Sequence, residues 1–133
     1  MNQGKTVFAQ IMFYISKYEF EKCVDRYKGN YKVQSFTCLE HFYVMCFAQF
    51  TYRESLRDIE ACLTALSNKL YHSGIKSAVP KSTLAEANET RNWQIYADFA
   101  QVLIKEARLL YKTENDFLQE VDNMAYALDS STI

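Results

Sequence analysis

Apolar residues recur along this chain at steps of three and four, the spacing of a helix face, and rarely at the alternating spacing of a strand. From Lys5 to Ile15 the positions Val7, Phe8, Ile11, Met12 and Ile15 share one face. Tyr18 to Lys28 repeats the pattern with Phe20, Cys23, Val24 and Tyr27, and Gly29 is placed as a C-terminal stop. Asn30 to Phe36 alternates loosely and predicts an extended connector. Thr37-x-x-Glu40 then predicts a capping box, each side chain bonding the other's free backbone amide. From Phe42 to Phe50 nearly every residue is apolar, as suits a helix at the centre of a bundle. His41, just before that run, reads as a hydrogen-bonded histidine at the core edge rather than a metal ligand.

The stretch from Arg53 to Arg91 organises the rest. Ser55 with Asp58 predicts a capped helix start, Leu56, Ile59, Leu63, Leu66 and Leu70 a buried stripe, and Gly74 its end. Arg53 and Arg57 are one turn apart and either hold a phosphate together or pair with Glu54 and Glu60. After a connection, Thr83-x-x-Glu86 predicts a second capping box, with Lys81, Ser82 and Thr83 at the N-terminus of a short polar helix. Exposed amides and the helix dipole suit that end to phosphate, and Asn88 on the same helix to an adenine edge. Lys76, Lys81 and Arg91 supply charge around it. A buried helix bracing a short exposed one is the helix-turn-helix arrangement; an ordinary capped connector helix fits the same spacing.

Trp93, Tyr96, Phe99, Ala100, Leu103, Ala107 and Leu110 predict a long amphipathic helix without Gly or Pro. Beyond Lys112 the chain turns acidic and polar, a linker, and Asn123 to Leu128 predicts a short buried strand tipped by Asp129. The expected architecture is all-α: a helical bundle over 1–112, then a linker and one strand over 113–133.

Composition supports the helices, since 3 Gly and 1 Pro in 133 residues punctuate too little for a many-stranded sheet. Cys23, Cys38, Cys46 and Cys62 form no CxxC pair and occupy apolar helical positions, predicting buried reduced thiols and no zinc cluster with His41 or His72. No signal peptide opens the chain and no apolar run is long enough for a membrane span, so a cytoplasmic protein is expected. The net charge of −1 is unevenly spread. All 15 Lys and Arg lie in 1–112 against 11 acids, leaving +4, while 113–133 carries five acids and no base. Lys17, Lys22, Arg26, Lys28 and Lys32 make the most basic region, either a solvated helix face or a phosphate contact.

The stretches FAQFTYRESLRDIEACL, KLYHSGIK, KSTLAEANETRNWQIYADFAQVLI and YALDSSTI resemble, in this order, the N-terminal part of bacterial insertion-sequence transposases of the DDE type. In that group a helical domain precedes an RNase H-like catalytic domain whose first strand carries the first of three acidic metal ligands. The resemblance implies that Asp129 is that first catalytic acid, a ligand for Mg²⁺ or Mn²⁺ in the full-length enzyme. The matching positions for the other two acids are not in these 133 residues, so this chain alone is expected to bind no catalytic metal and to be inactive. The resemblance further implies binding of double-stranded DNA at terminal inverted repeats, assembly of the paired-end complex, and a nucleoid-associated place in a bacterial cytoplasm. Candidate DNA contacts are Lys76, Lys81, Ser82, Thr83, Asn88, Arg91, Arg53 and Arg57. The alternative from another class is a protein-interaction module that forms a homodimer through exposed Tyr and Phe without touching DNA.

Overall fold

Four helices begin where a hydroxyl caps them. In the computed structural model, which describes residues 5–112, Thr6 Oγ1 accepts from Ala9 N at 3.2 Å and opens α1 (Val7–Phe13). Ser16 opens α2 (Lys17–Arg26), Thr37 opens α3 (Cys38–Phe50) and Ser55 opens α4 (Leu56–Ala65), each accepting the amide three residues on. Each such cap stabilises its helix by about 1 kcal/mol. A short α5 (Ser67–Leu70), a 3₁₀ turn over Tyr71–Ser73, α6 (Lys81–Thr90) and α7 (Trp93–Tyr111) complete the order. The described residues are all-helical, with no strand among them. The expected C-terminal strand and Asp129 lie outside the described residues. The chain divides into two units between Phe99 and Ala100, within α7.

In the first unit α3 is the hub, as its all-round apolar sequence requires. Tyr43, Val44, Phe47 and Ala48 pack in one cluster with Phe8 and Met12 of α1, Ile59 and Leu63 of α4, and Leu84 and Ala87 of α6. Phe20 of α2, Phe42 of α3 and Phe99 of α7 make an aromatic triad, with ring centroids 5.1 to 5.4 Å apart and the Phe99 ring edge-on to both. Phe20, Leu63, Leu84, Ile95 and Phe99 are almost wholly excluded from water, each contributing about 1.5–3 kcal/mol of burial. Arg26 Nη1 and the Tyr27 hydroxyl both donate to Asp98 Oδ2, at 2.5 and 2.8 Å, tying the end of α2 to α7. These bonds, the Tyr27 one first, hold the Asp98 carboxyl below its ordinary value.

Several expectations are corrected. The helix from Arg53 to Gly74 is three pieces, broken at Leu66 and tightened to 3₁₀ at Tyr71, although Gly74 does end it in a left-handed conformation at φ 94°. Residues 30–36 form turns and bends rather than an extended connector. The left-handed residue after α2 is Lys28 (φ 52°), not Gly29. Gly29 is needed for a different reason: a Cβ there would lie 2.5 Å from Ile95 Cδ1 and 2.9 Å from Cys38 Sγ. Glu40 completes no capping box with Thr37; it is buried, and its Oε1 accepts from Lys76 N at 3.2 Å. Trp93, placed on the buried stripe of α7, is 72% exposed, and Ile95 takes the buried position instead. Val7 and Ile11 of α1 are likewise exposed. In the second unit, Ile104 and Leu109 are exposed on α7.

Gly74→Ala meets two obstacles at once, a positive φ and the Tyr43 ring 2.6 Å from the new Cβ. It is expected to lower the unfolding free energy by about 1–3 kcal/mol in a urea titration. An unchanged midpoint would show that the loop relaxes freely there.

Candidate functional site

The pair α4 and α6 carries most of the residues singled out from the sequence. The two helices pack directly, with Ile59 and Leu63 of α4 buried in the same cluster as Leu84 and Ala87 of α6. The connection between them is anchored by buried Ile75 and Val79 and by the bond from Lys76 N to Glu40.

α6 starts at Lys81 because Pro80 precedes it, with φ −60° and no N–H to donate. Pro80 supplies no side-chain cap, so the first-turn amides of α6 lack the partner that Thr6, Ser16, Thr37 and Ser55 provide elsewhere. The predicted capping box of Thr83 and Glu86 is therefore a correction: Thr83 is the third helical residue, not the cap. Lys81 and Ser82 are exposed in that first turn and Lys76 is exposed upstream. Thr83 is half-buried and lines a groove along residues 31–36.

The far half of α6 is held by polar contacts that no local spacing signalled. His41 of α3 is 4% exposed, and both ring nitrogens are bonded, Nδ1 to the Tyr96 hydroxyl at 2.8 Å and Nε2 to Asn88 Oδ1 at 2.7 Å. Asn88 Oδ1 only accepts, so the neutral imidazole carries its proton on Nε2 and accepts from Tyr96 at Nδ1. The expectation of a hydrogen-bonded core-edge histidine holds. Burial lowers the His41 pKa, the bond to Asn88 opposes that, and Arg91 adds to it. Burial pushes the Tyr96 phenol up.

Arg91, just past α6, donates from Nη1 to Cys38 Sγ at 2.9 Å and from Nη2 to the Phe36 carbonyl, and its guanidinium lies over the Phe36 ring. Arg53 donates to the Thr51 carbonyl from Nε and Nη2 and pairs with Asp58 at 3.5 Å, rather than with Glu54 or Glu60. Of the eight candidate contacts, Asn88, Arg91 and Arg53 are thus bonded within the protein, although Asn88 and Arg53 remain exposed; Lys76, Lys81, Ser82 and Arg57 are exposed and Thr83 is half-buried.

Beside the His41 network lies a cavity of about 370 Å³ whose walls include Phe42, Met45, Cys46, Trp93 and Tyr96. Burial pushes the Cys46 thiol up to about 11, so it stays protonated at neutral pH and is no nucleophile. Among the described residues no three His, Cys, Asp or Glu side chains converge to hold a metal ion. No helix among them is long and apolar enough to cross a membrane.

A His with a lowered folded pKa binds fewer protons folded than unfolded below its ordinary value of 6.5. Stability is therefore full above pH 6.5 and falls as pH drops towards the folded value, where the imidazolium loses its acceptor role to Tyr96. The melting temperature is expected to decline as the pH is lowered from about 7.5 to about 5, with a shallower decline in His41→Gln. Parallel declines in the two proteins would assign the titration to another group.

Comparison with curated proteins and with solved structures finds no match. A family model does match, over residues 3–76, more than half the chain and the segment from α1 through the 3₁₀ turn. This chain belongs to the family of that model, the domain of unknown function DUF4372.

Proposed function

We propose that this protein is the helical, DNA-binding and assembly region of a DDE-type transposase, acting on double-stranded DNA at the terminal inverted repeats of a mobile element. The observation that carries the reading is the N-terminus of α6. Its first turn lacks a side-chain cap, Lys81 and Ser82 are exposed there, and Lys76 is exposed just before it. A helix end of this kind attracts phosphate through its amides and dipole, with lysine adding charge. α4 and α6 then serve as the bracing and presenting members of a helix-turn-helix-like pair. Thr83 and Arg57 extend the phosphate contacts, while Arg53, Asn88 and Arg91 orient the elements that carry them. The sequence resemblance supplies the enzyme context: an RNase H-like domain, Asp129 as its first metal ligand, and Mg²⁺ or Mn²⁺ in the full-length enzyme. The bacterial nucleoid is the compartment this activity calls for.

A second reading rests on a separate observation. Phe13, Tyr14, Tyr18 and Tyr52 are each more than 70% exposed, and the Phe13 and Tyr14 rings stand edge to face, 6.0 Å apart. Subunit pairing through these rings is compatible with the DNA reading and replaces it if no DNA is bound.

Lys76→Ala with Lys81→Ala is expected to weaken binding to a labelled duplex carrying the repeat end. It should also reduce the slope of log affinity against log salt by roughly 2, about 0.9 for each phosphate no longer neutralised. An unaltered slope removes the α6 terminus from the interface. Concentration-dependent sedimentation without any duplex shift would favour the pairing module.

A further inference from the structure

The first unit has a second cationic surface that the α6 reading does not use. Between α1 and the 3₁₀ turn lies a groove of about 410 Å³, lined by Lys5, Phe13, Lys17, Tyr71, His72 and Gly74 among others. No Asp or Glu is among its lining residues, and neither lysine forms an ion pair among the described residues. Lys5 Nζ rests 5.8 Å from the centroid of the Phe13 ring, which seats the ammonium by a cation–π contact. Tyr71 is 68% exposed and stands edge-on to His72, with ring centroids 5.8 Å apart.

The floor is rigid. Gly74 lies in the left-handed region with the Tyr43 ring against the place of its missing Cβ, and the buried Ser73 hydroxyl donates to the Leu70 carbonyl at 2.6 Å. A recess of this size takes a small ligand or one unit of a polymer.

Resting on the nucleic-acid reading above, we infer that this groove seats an unpaired nucleotide, with its phosphate between Lys5 and Lys17 and its base against Tyr71. Cations and an open aromatic ring in a pocket without carboxylates are what single-strand binding uses, because every base offers a π-face whatever its identity. A duplex satisfies only half of the site. It brings phosphates to the lysines, but its bases are stacked on one another and leave Tyr71 unoccupied. Strand ends and frayed junctions supply the missing base. All the named groove residues fall within the segment that matches the family model, whereas α6 lies beyond it.

The test uses the 133-residue chain, a fluorescein-labelled ten-residue oligothymidylate and the repeat-end duplex. Lys5→Ala with Lys17→Ala is expected to weaken oligothymidylate binding at least tenfold and to lower its salt slope by roughly 1.4, about 0.7 for each single-strand phosphate. Tyr71→Ala is expected to weaken it by about 5- to 150-fold, the range for one stacked base, while Tyr71→Phe keeps it. Duplex affinity stays near its starting value in Tyr71→Ala and Tyr71→Phe and falls less than oligothymidylate affinity in the lysine pair, while Lys76→Ala with Lys81→Ala shows the reverse preference. Because the three groove side chains are exposed, unchanged circular dichroism and melting temperature check that each variant folds. Oligothymidylate binding indifferent to the groove substitutions overturns the inference, as does duplex binding with no oligothymidylate binding. Equal losses on both nucleic acids overturn the unpaired-base assignment. Binding of neither by the unaltered chain defeats this inference together with the DNA reading on which it rests.

Discussion

A buried imidazole with two hydrogen bonds sets the geometry on which α6 depends. α3 is apolar on nearly every side, and the one histidine near its start is almost wholly buried. An unbonded nitrogen there would cost roughly 1–3 kcal/mol. The partners come from Asn88 on α6 and Tyr96 on α7, 47 and 55 residues away. Because an imidazole ring is planar and its two bonding directions are fixed, satisfying both orients α6 and the start of α7 against α3. Arg91 reinforces the same end of α6 through the Phe36 carbonyl. The outcome is a helix with unlike ends: Asn88, in its C-terminal half, bonds to α3, and its N-terminus has no side-chain cap.

The helices were legible because burial on one side imposes a helical period, and that period survives in the order of residues. The caps at Thr37 and Ser55 were legible too, since a hydroxyl three residues before a helical amide is a local device. Thr83 shows the limit of that reasoning. Its spacing to Glu86 matches a capping box, yet Pro80 begins the helix earlier and moves Thr83 inside, where its hydroxyl has no cap role. Trp93 shows another. Periodicity says which residues share a face but not whether a neighbouring element reaches far enough to cover it. The roles of Asn88 and Arg91 were illegible for a third reason. Both are polar residues at a helix surface, and only the approach of α3 and of the Phe36 carbonyl gives them partners within the protein.

Net charge is a poor guide to what this surface attracts. At physiological salt, exposed charges further apart than about 8 Å are largely screened, so a ligand responds to the groups beside it and not to the total. Several acids are engaged locally: Glu19 with Lys22, Asp58 with Arg53, Asp98 with Arg26, and Glu40 with a backbone amide. The groove by Lys5 and Lys17 has no acid in its lining, and the first turn of α6 contains none. An overall charge of −1 therefore coexists with two local surfaces that carry lysine and no acid.

These surfaces stand on either side of the limit of the family match, and the packing explains why they belong to one body. The matched segment ends at Lys76, yet its core is closed by residues beyond that point. Phe20 meets Phe99, the open side of Gly29 is filled by Ile95, and Leu63 shares its cluster with Leu84. Removing α6 and the start of α7 would open the faces of α2, α3 and α4 that these residues cover and leave His41 without either partner. The segment from α1 to the 3₁₀ turn is thus not a self-sufficient core. Part of its packing, at Phe20, Gly29 and Leu63, is supplied by the later helices. Any ligand that strains α6 away from α3 acts on the same hydrogen bonds that hold the bundle closed.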